Sequence, residues 1–343
     1  MRKNTPSLSI LFFSSEAVSD GGNKYDFIKE TIQLADSFGF EAAWFPERHF
    51  DQFGGIFPNP APLAAAMAMI TSTIRLRSGS IILPLHHSIR IAEDWSMVDN
   101  LSNGRVDLSF TTGWNENDFV LAPDNYEKRA SVMYEKVEEI KTLWKGGRVS
   151  FKDGKGEDKP TKIYPKPAQE SLNIWITCGG KNLERFVEAG AKGFNILTAL
   201  LLQSKEELKS NIEAYRSARK NAGYDPDTGR VTLMLHTFVG ESEESVRKTV
   251  KAPFMKYIDS SVNLWSQSSK KIDELDEYKK KKVLEYAFEK YFHSAALFGT
   301  VEQCEKKIKS FQAAGVNEFA CLIDYGPTLM ETKESLMNLK ELL

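Results

Sequence analysis

Three short segments of this chain carry residue types that could do chemistry: ERHF at 47–50, the pair His86-His87, and CGGKN at 178–182. Each follows an apolar run, so each stands where a strand hands over to a loop. An imidazole in that position can act as a general acid or base near neutral pH. His49 is the candidate, against the alternative of a loop histidine bonded to the backbone or to Glu47. His86 and His87 follow Pro84, and at most one of them is expected to point inward. Neither pair has metal-ligand spacing, because no nearby carboxylate or third ligand completes a zinc or iron set, so no metal is expected.

CGGKN opens a predicted helix. Consecutive glycines let backbone N–H groups form an anion-binding nest, and a helix N-terminus adds partial positive charge. Cys178, Gly179, Gly180, Lys181 and Asn182 are therefore candidate phosphate ligands, with Lys181 able to add an ion pair; the alternative is a plain turn that needs glycine. A fourth segment, TTGWNENDF, supplies hydrogen-bonding Thr111, Thr112 and Asn115. There Gly113 lets a ligand approach the backbone and Trp114 offers an aromatic face. The alternative has Trp114 covering the core and Asn115 capping the next turn. His236, in VTLMLHTFV, reads best as a satisfied interior histidine. No nucleophile elbow or paired-carboxylate signature is present, so an organic cofactor would have to carry difficult chemistry.

The elements that must position these residues alternate along the chain. Strands are predicted at Leu8–Phe13, Ala42–Phe45, Ile74–Leu83, Val106–Phe110, Ile174–Thr177, Gly193–Leu197, Val231–Val239 and Glu318–Ile323. Helices are predicted between them at Tyr25–Phe38, Ala61–Ile70, Ile89–Leu101, Tyr126–Trp144, Asn182–Ala189, Lys205–Ala222, Glu243–Tyr257, Asp273–Phe292 and Val301–Ala314. That rhythm implies parallel βαβ units, and about eight of them close a (β/α)8 TIM barrel. Ligands then bind at the C-terminal ends of the strands, where the four segments fall. The polar stretch around 146–170 reads as a surface insertion, and 258–285 as a second, with one domain spanning 1–343.

Composition sets limits on partners. The chain has 343 residues, 41% hydrophobic and 27% charged, with a net charge of -2. That is an ordinary globular balance with no basic footprint for nucleic acid and no reason to expect a membrane surface. Three cysteines without paired spacing argue for free thiols and a cytoplasmic setting. The small residues of Ala61–Ile70 and the apolar stripe of Ile89–Leu101 predict a symmetric homodimer through these helices.

The segments WFPERHFDQFGG, LPLHHSIRIAEDWSMVDNLSNGRVDLSFTTGWNENDF, TCGGKN and VTLMLHTFVG together resemble the bacterial luciferase-like flavin monooxygenases, from about Ser7 to the C-terminus. Within that family the motifs are most similar to the branch found with nonribosomal peptide and polyketide biosynthesis. The resemblance implies a luciferase-like TIM barrel binding FMN, supplied reduced by a separate flavin reductase, that uses O2 to oxygenate a small-molecule or carrier-protein-tethered substrate. Two alternatives stay open: an oxidoreductase of the same fold using the deazaflavin F420, or a flavin-binding protein without turnover. His49 matches the second histidine of the luciferase catalytic pair, whereas Arg48 replaces the first. Beside it, Arg48 is expected to disfavour a protonated ring. Gly79-Ser80 matches a cis peptide under the flavin ring, and Ile196 and Thr198 match residues near the isoalloxazine. Thr112 stands where luciferase has a phosphate-binding arginine, which leaves the phosphate to the 178–182 segment. The stretch Trp265–Lys282 lies where relatives carry a mobile lid.

Overall fold

The computed structural model describes residues 6–13, 23–180, 182–200, 203–262 and 276–343. Eight parallel strands close a barrel: β1 (Ser7–Leu11), β2 (Ala42–Phe45), β3 (Arg75–Ser78), β5 (Val106–Thr111), β8 (Ile174–Thr177), β9 (Asn195–Ala199), β10 (Val231–Val239) and β12 (Glu318–Leu322). Closure is made by β12, which pairs with β1 on one side and β10 on the other. These are the eight strands that the sequence predicts. The two-residue β4 (Ile81–Ile82) also pairs with β5, and β6 (Val149–Lys152) with β7 (Asp158–Thr161) forms an antiparallel hairpin in the first insertion. One strand was not anticipated: β11 (Ala296–Gly299) lies parallel to the C-terminal half of β10. Four apolar residues at a helix end carry no period that separates strand from helix.

The helices form the outer ring, and their ends follow local chemistry. In α1 (Lys24–Phe38), Asn23 caps the start by accepting from the Tyr25 N–H, and Gly39, at φ 85°, ends it. Then come α2 (Pro60–Ala68), α3 (Ser88–Leu101), α4 (Arg129–Trp144), α5 (Leu183–Ala191), α6 (Lys205–Asn221), α7 (Glu243–Val262), α8 (Glu277–Ser294), α9 (Val301–Gln312) and α10 (Leu329–Leu339). The last of these was not anticipated either. Its capping box, Thr328 with Glu331, was the available sequence signal.

Strand alternation sorts two cores. Ala43, Phe45, Ile174, Ile176, Leu233 and Leu235 face the helices. Trp44, Trp175 and Met234 face inward and join Phe254, Tyr257, Phe288 and Phe292 from α7 and α8. Helices α7 and α8 thus bring aromatic rings over the barrel interior. Residues 263–275, which include most of the expected lid, lie outside the described residues.

The N-terminal end of the barrel is plugged by charge. Arg77 is fully buried between the Trp44 and Trp175 rings, 4.9 and 4.5 Å from their centroids. Its guanidinium donates to Asp107 at 2.7 Å and Glu318 at 2.6 Å. Asp107 also accepts from Arg75 and Asn173. A cavity of about 300 Å³ opens beside this plug, and the charges lining it, Glu41, Arg75, Arg77 and Arg230, are paired with one another or with Asp107 and Glu318. Among the described residues no helix is long and apolar enough to cross a membrane.

Candidate active site

The opposite end of the barrel gathers the chemistry. The loop after β2 carries Glu47, Arg48 and His49, and turns at Phe50, whose φ is 54°. Glu47 is buried, and its Oε1 meets His49 Nε2 at 2.8 Å and His86 Nε2 at 2.5 Å. Its Oε2 accepts from the Ile82 N–H at 2.8 Å. Burial opposes ionisation of this carboxyl, but the bonds from His49, His86 and Ile82 outweigh it and hold its pKa below the usual range.

Two expectations are corrected here. A carboxylate does stand beside the histidines, so Glu47, His49 and His86 bring three ligand-capable atoms within 4.8 Å of one another. Sequence spacing hid this set because His86 arrives from a different strand. His49 is bonded to Glu47, the alternative reading of this residue, and the Arg48 charge expected to disfavour its protonation is paired with other carboxylates. The Arg48 guanidinium donates to Asp118 at 2.6 and 2.8 Å and to Asp51 at 3.2 Å, beneath the exposed Trp114 ring. His87 turns away, capping α3 by accepting from the Ile89 N–H. Only one of the pair joins the cluster, as expected.

The next strands continue the arc. The Gly79–Ser80 peptide is cis, as the resemblance implies. Ser80 Oγ shares hydrogen bonds with Ser109 Oγ at 2.6 Å and Thr177 Oγ1 at 2.5 Å. Ile82 is in register with Thr111, which links the Glu47 cluster to the end of β5. Gly113 has φ 74°, and a Cβ there would meet Ile82 and Phe119 at 2.8 and 3.0 Å. Its lack of a side chain therefore serves packing in this turn. Asn115 accepts from the Asn117 N–H and caps the short helix Glu116–Leu121, the plainer of its two readings. Ile196 is buried in the outer core, while Thr198 accepts from Gln203 at 2.9 Å.

The phosphate segment is partly as expected. Asn182 caps α5, and Gly180 takes a positive φ of 48°. Gly179 does not, although a Cβ on it would meet open space. The Cys178 thiol is buried in the outer core and pushed up to about 12 by burial, so only its backbone is available to a ligand. Lys181 lies outside the described residues. Sequence reasoning missed Arg185: from the first turn of α5 its guanidinium donates to Thr112 Oγ1 at 2.9 Å. A cation thus stands beside Thr112. Its position three residues after a helix cap was the only signal.

His236 is interior but not satisfied. Its Nε2 has no hydrogen-bond partner among the described residues, and rings of Phe254, Tyr257, Tyr291 and Tyr325 surround it with centroids 4.9–5.9 Å away. Burial pushes its pKa down to about 3, which keeps the ring neutral.

The sequence matches the family model of luciferase-like monooxygenases over residues 7–318. It is 27% identical to the oxygenase component of a flavin-dependent trigonelline monooxygenase from Acinetobacter baylyi, covering 95% of this chain and 91% of that protein. In structure it is similar to the FMN-bound oxygenating constituent of 3,6-diketocamphane monooxygenase from Pseudomonas putida, with TM-score 0.75, 17% identity and 98% of each chain covered. An F420-dependent secondary alcohol dehydrogenase is also similar, with TM-score 0.73, 16% identity and 99% and 98% coverage.

Proposed function

This chain belongs to the luciferase-like monooxygenase family and is a flavin-dependent monooxygenase; from that premise we propose that it binds FMN and is the oxygenase half of a two-component system. A separate flavin reductase supplies the cofactor reduced. The observation that carries the choice of FMN is the anion cradle made by Gly180, Asn182, Thr112 and Arg185. A positive-φ glycine, a helix start and a guanidinium converge there, which suits a terminal phosphate dianion. Around the barrel, the cis Gly79–Ser80 unit after β3 and Gly113 after β5 lie between the histidines and this cradle, and Thr198 on β9 lies on its far side.

When bound, the reduced flavin supplies the electrons that let O2 deliver one oxygen atom to an organic substrate. The chain does the rest. Its cradle holds the phosphate, and the aromatic roof of Phe53, Phe254 and Tyr257 excludes water from the mouth. His49 exchanges a proton with the reacting groups. We take the substrate to be a biosynthetic intermediate, free or tethered to a carrier protein, a reading that rests on the LPLHHSIRIAEDW and TTGWNENDF motifs.

The test is a titration of the purified chain with FMN, riboflavin and F420, followed by turnover with a reductase under labelled O2. The expected result is preference for FMN and one labelled oxygen in the product. Preference for F420, or product without label, overturns the proposal.

A further inference from the structure

We propose that Glu47 is a positioning residue that holds His49 and His86 both as Nε2–H tautomers, making the two rings one acid–base unit around a single carboxylate. The inference deepens the proposed function and rests on it only for the use to which the unit is put. Its geometry is independent of any cofactor. One oxygen, Glu47 Oε1, stands 2.8 Å from His49 Nε2 and 2.5 Å from His86 Nε2. A carboxylate oxygen can only accept, so each of those nitrogens must bear a proton. The second oxygen is engaged by the Ile82 N–H, which fixes the carboxylate plane and prevents either ring from taking it alone. Bonded through Nε2, each neutral ring keeps Nδ1 as its proton acceptor.

Both contacts, 2.8 and 2.5 Å, are at hydrogen-bond length and shorter than the about 3.3 Å between ligands of a tetrahedral zinc with metal–ligand bonds of about 2.0–2.1 Å, so the rings as they stand are hydrogen-bonded to the carboxylate.

Charge explains what the unit does. The surrounding charges are Arg48 and Asp118, which are paired, Asp94 on α3, paired with Arg90 at 2.9 Å, and Lys136 on α4, whose Nζ donates to the His86 carbonyl at 2.5 Å. Glu47 brings one negative charge to a buried place, and one added proton on either ring neutralises it. In that state one imidazole is a donor and the other an acceptor, and the carboxylate between them favours neither by geometry. The mouth then gives and takes a proton through these two rings.

The experiment uses the full chain, free of flavin, with histidines labelled with nitrogen-15. Long-range nitrogen–proton correlation spectra at about pH 9, well above the ordinary histidine range, should show both rings protonated on Nε2. In Glu47→Gln at least one ring should lose that signature, because an amide oxygen is a weaker acceptor and its NH2 can only donate. Should Glu47→Gln fail to fold, His49→Phe and His86→Phe serve instead: the remaining ring must keep the Nε2–H form in each. A wild-type ring protonated on Nδ1, or two unchanged signatures in folded Glu47→Gln, overturns the inference. So does stoichiometric zinc uptake that His86→Phe abolishes. FMN titration of the same samples is read separately, so a chain that binds no FMN fails the proposed function while leaving the tautomer result intact.

Discussion

A single imidazole at a barrel mouth contributes through proton transfer, and the size of that contribution is bounded. General acid–base groups typically supply about 10²–10⁴ in rate. His49→Ala should therefore lower coupled product by that order, with hydrogen peroxide release rising, while circular dichroism and FMN affinity stay near wild type. Wild-type coupling with the true substrate would move the role to His86 or His236. Arg185 is tested by ligand pairs. A hydrogen bond to a charged group is worth about 1.5–3 kcal/mol, so Arg185→Ala should weaken FMN by roughly 10–100-fold and leave riboflavin, which lacks the phosphate, unchanged. Equal losses for both ligands would assign Arg185 to holding Thr112 in place.

At the scale of elements, the β8–α5 turn decides whether the cradle forms. The residue that takes the left-handed conformation is Gly180, at φ 48°. A β-branched side chain in that region costs about 1–3 kcal/mol. Gly180→Val should therefore damage FMN binding more than Gly179→Val, whose Cβ would meet open space. Titration of the two variants ranks them, and the reverse order would place the nest one residue earlier. The Arg77 plug at the other end is a matter of stability. Asp107→Ala removes a buried carboxylate shared by two arginines, but Arg77 keeps Glu318 and Arg75 keeps Gln169, so the loss should fall below the about 3–5 kcal/mol of a buried pair broken outright. Urea unfolding should show that loss.

For the whole molecule, the buried carboxylates set the response to acid. Burial raises the Asp107 pKa, but Arg77 and Arg75 outweigh it and leave the group below its ordinary value; Glu41 behaves alike, with Arg230 and Arg77 outweighing burial. A carboxyl depressed in the folded state adds stability above its unfolded pKa and loses it as pH falls through the folded one. Thermal stability should hold down to about pH 4 and fall below it, a fall that Asp107→Ala should blunt. Assembly is the second whole-molecule property. The small residues Ala61, Ala64 and Ala68 of α2 are buried within the chain, yet Met69, Ile70, Met97 and Leu101 stay exposed around α2 and α3. We propose that these cover each other in a symmetric homodimer; light scattering at micromolar concentration should read about twice the chain mass, and a monomer refutes it.

Much of this was legible in one dimension because its causes are local. Strand-like runs of four to ten residues between amphipathic helices predicted all eight barrel strands, and the strand ends located His49, Thr112 and the Gly179-Gly180 turn. Where a signal was too short, as at Ala296–Gly299, no period existed to be read. The contacts that give the site its chemistry were not local. Glu47 meets His86 across 39 residues, Arg185 meets Thr112 across 73, and Arg77 meets Glu318 across 241. Each pair is joined only when neighbouring or facing strands close the barrel. Sequence therefore determined which residues stand at the mouth, through backbone propensity and hydrophobic period. Closure of the sheet alone decided which of them share a proton, a charge or an anion, since those interactions depend on distances that no spacing along the chain encodes.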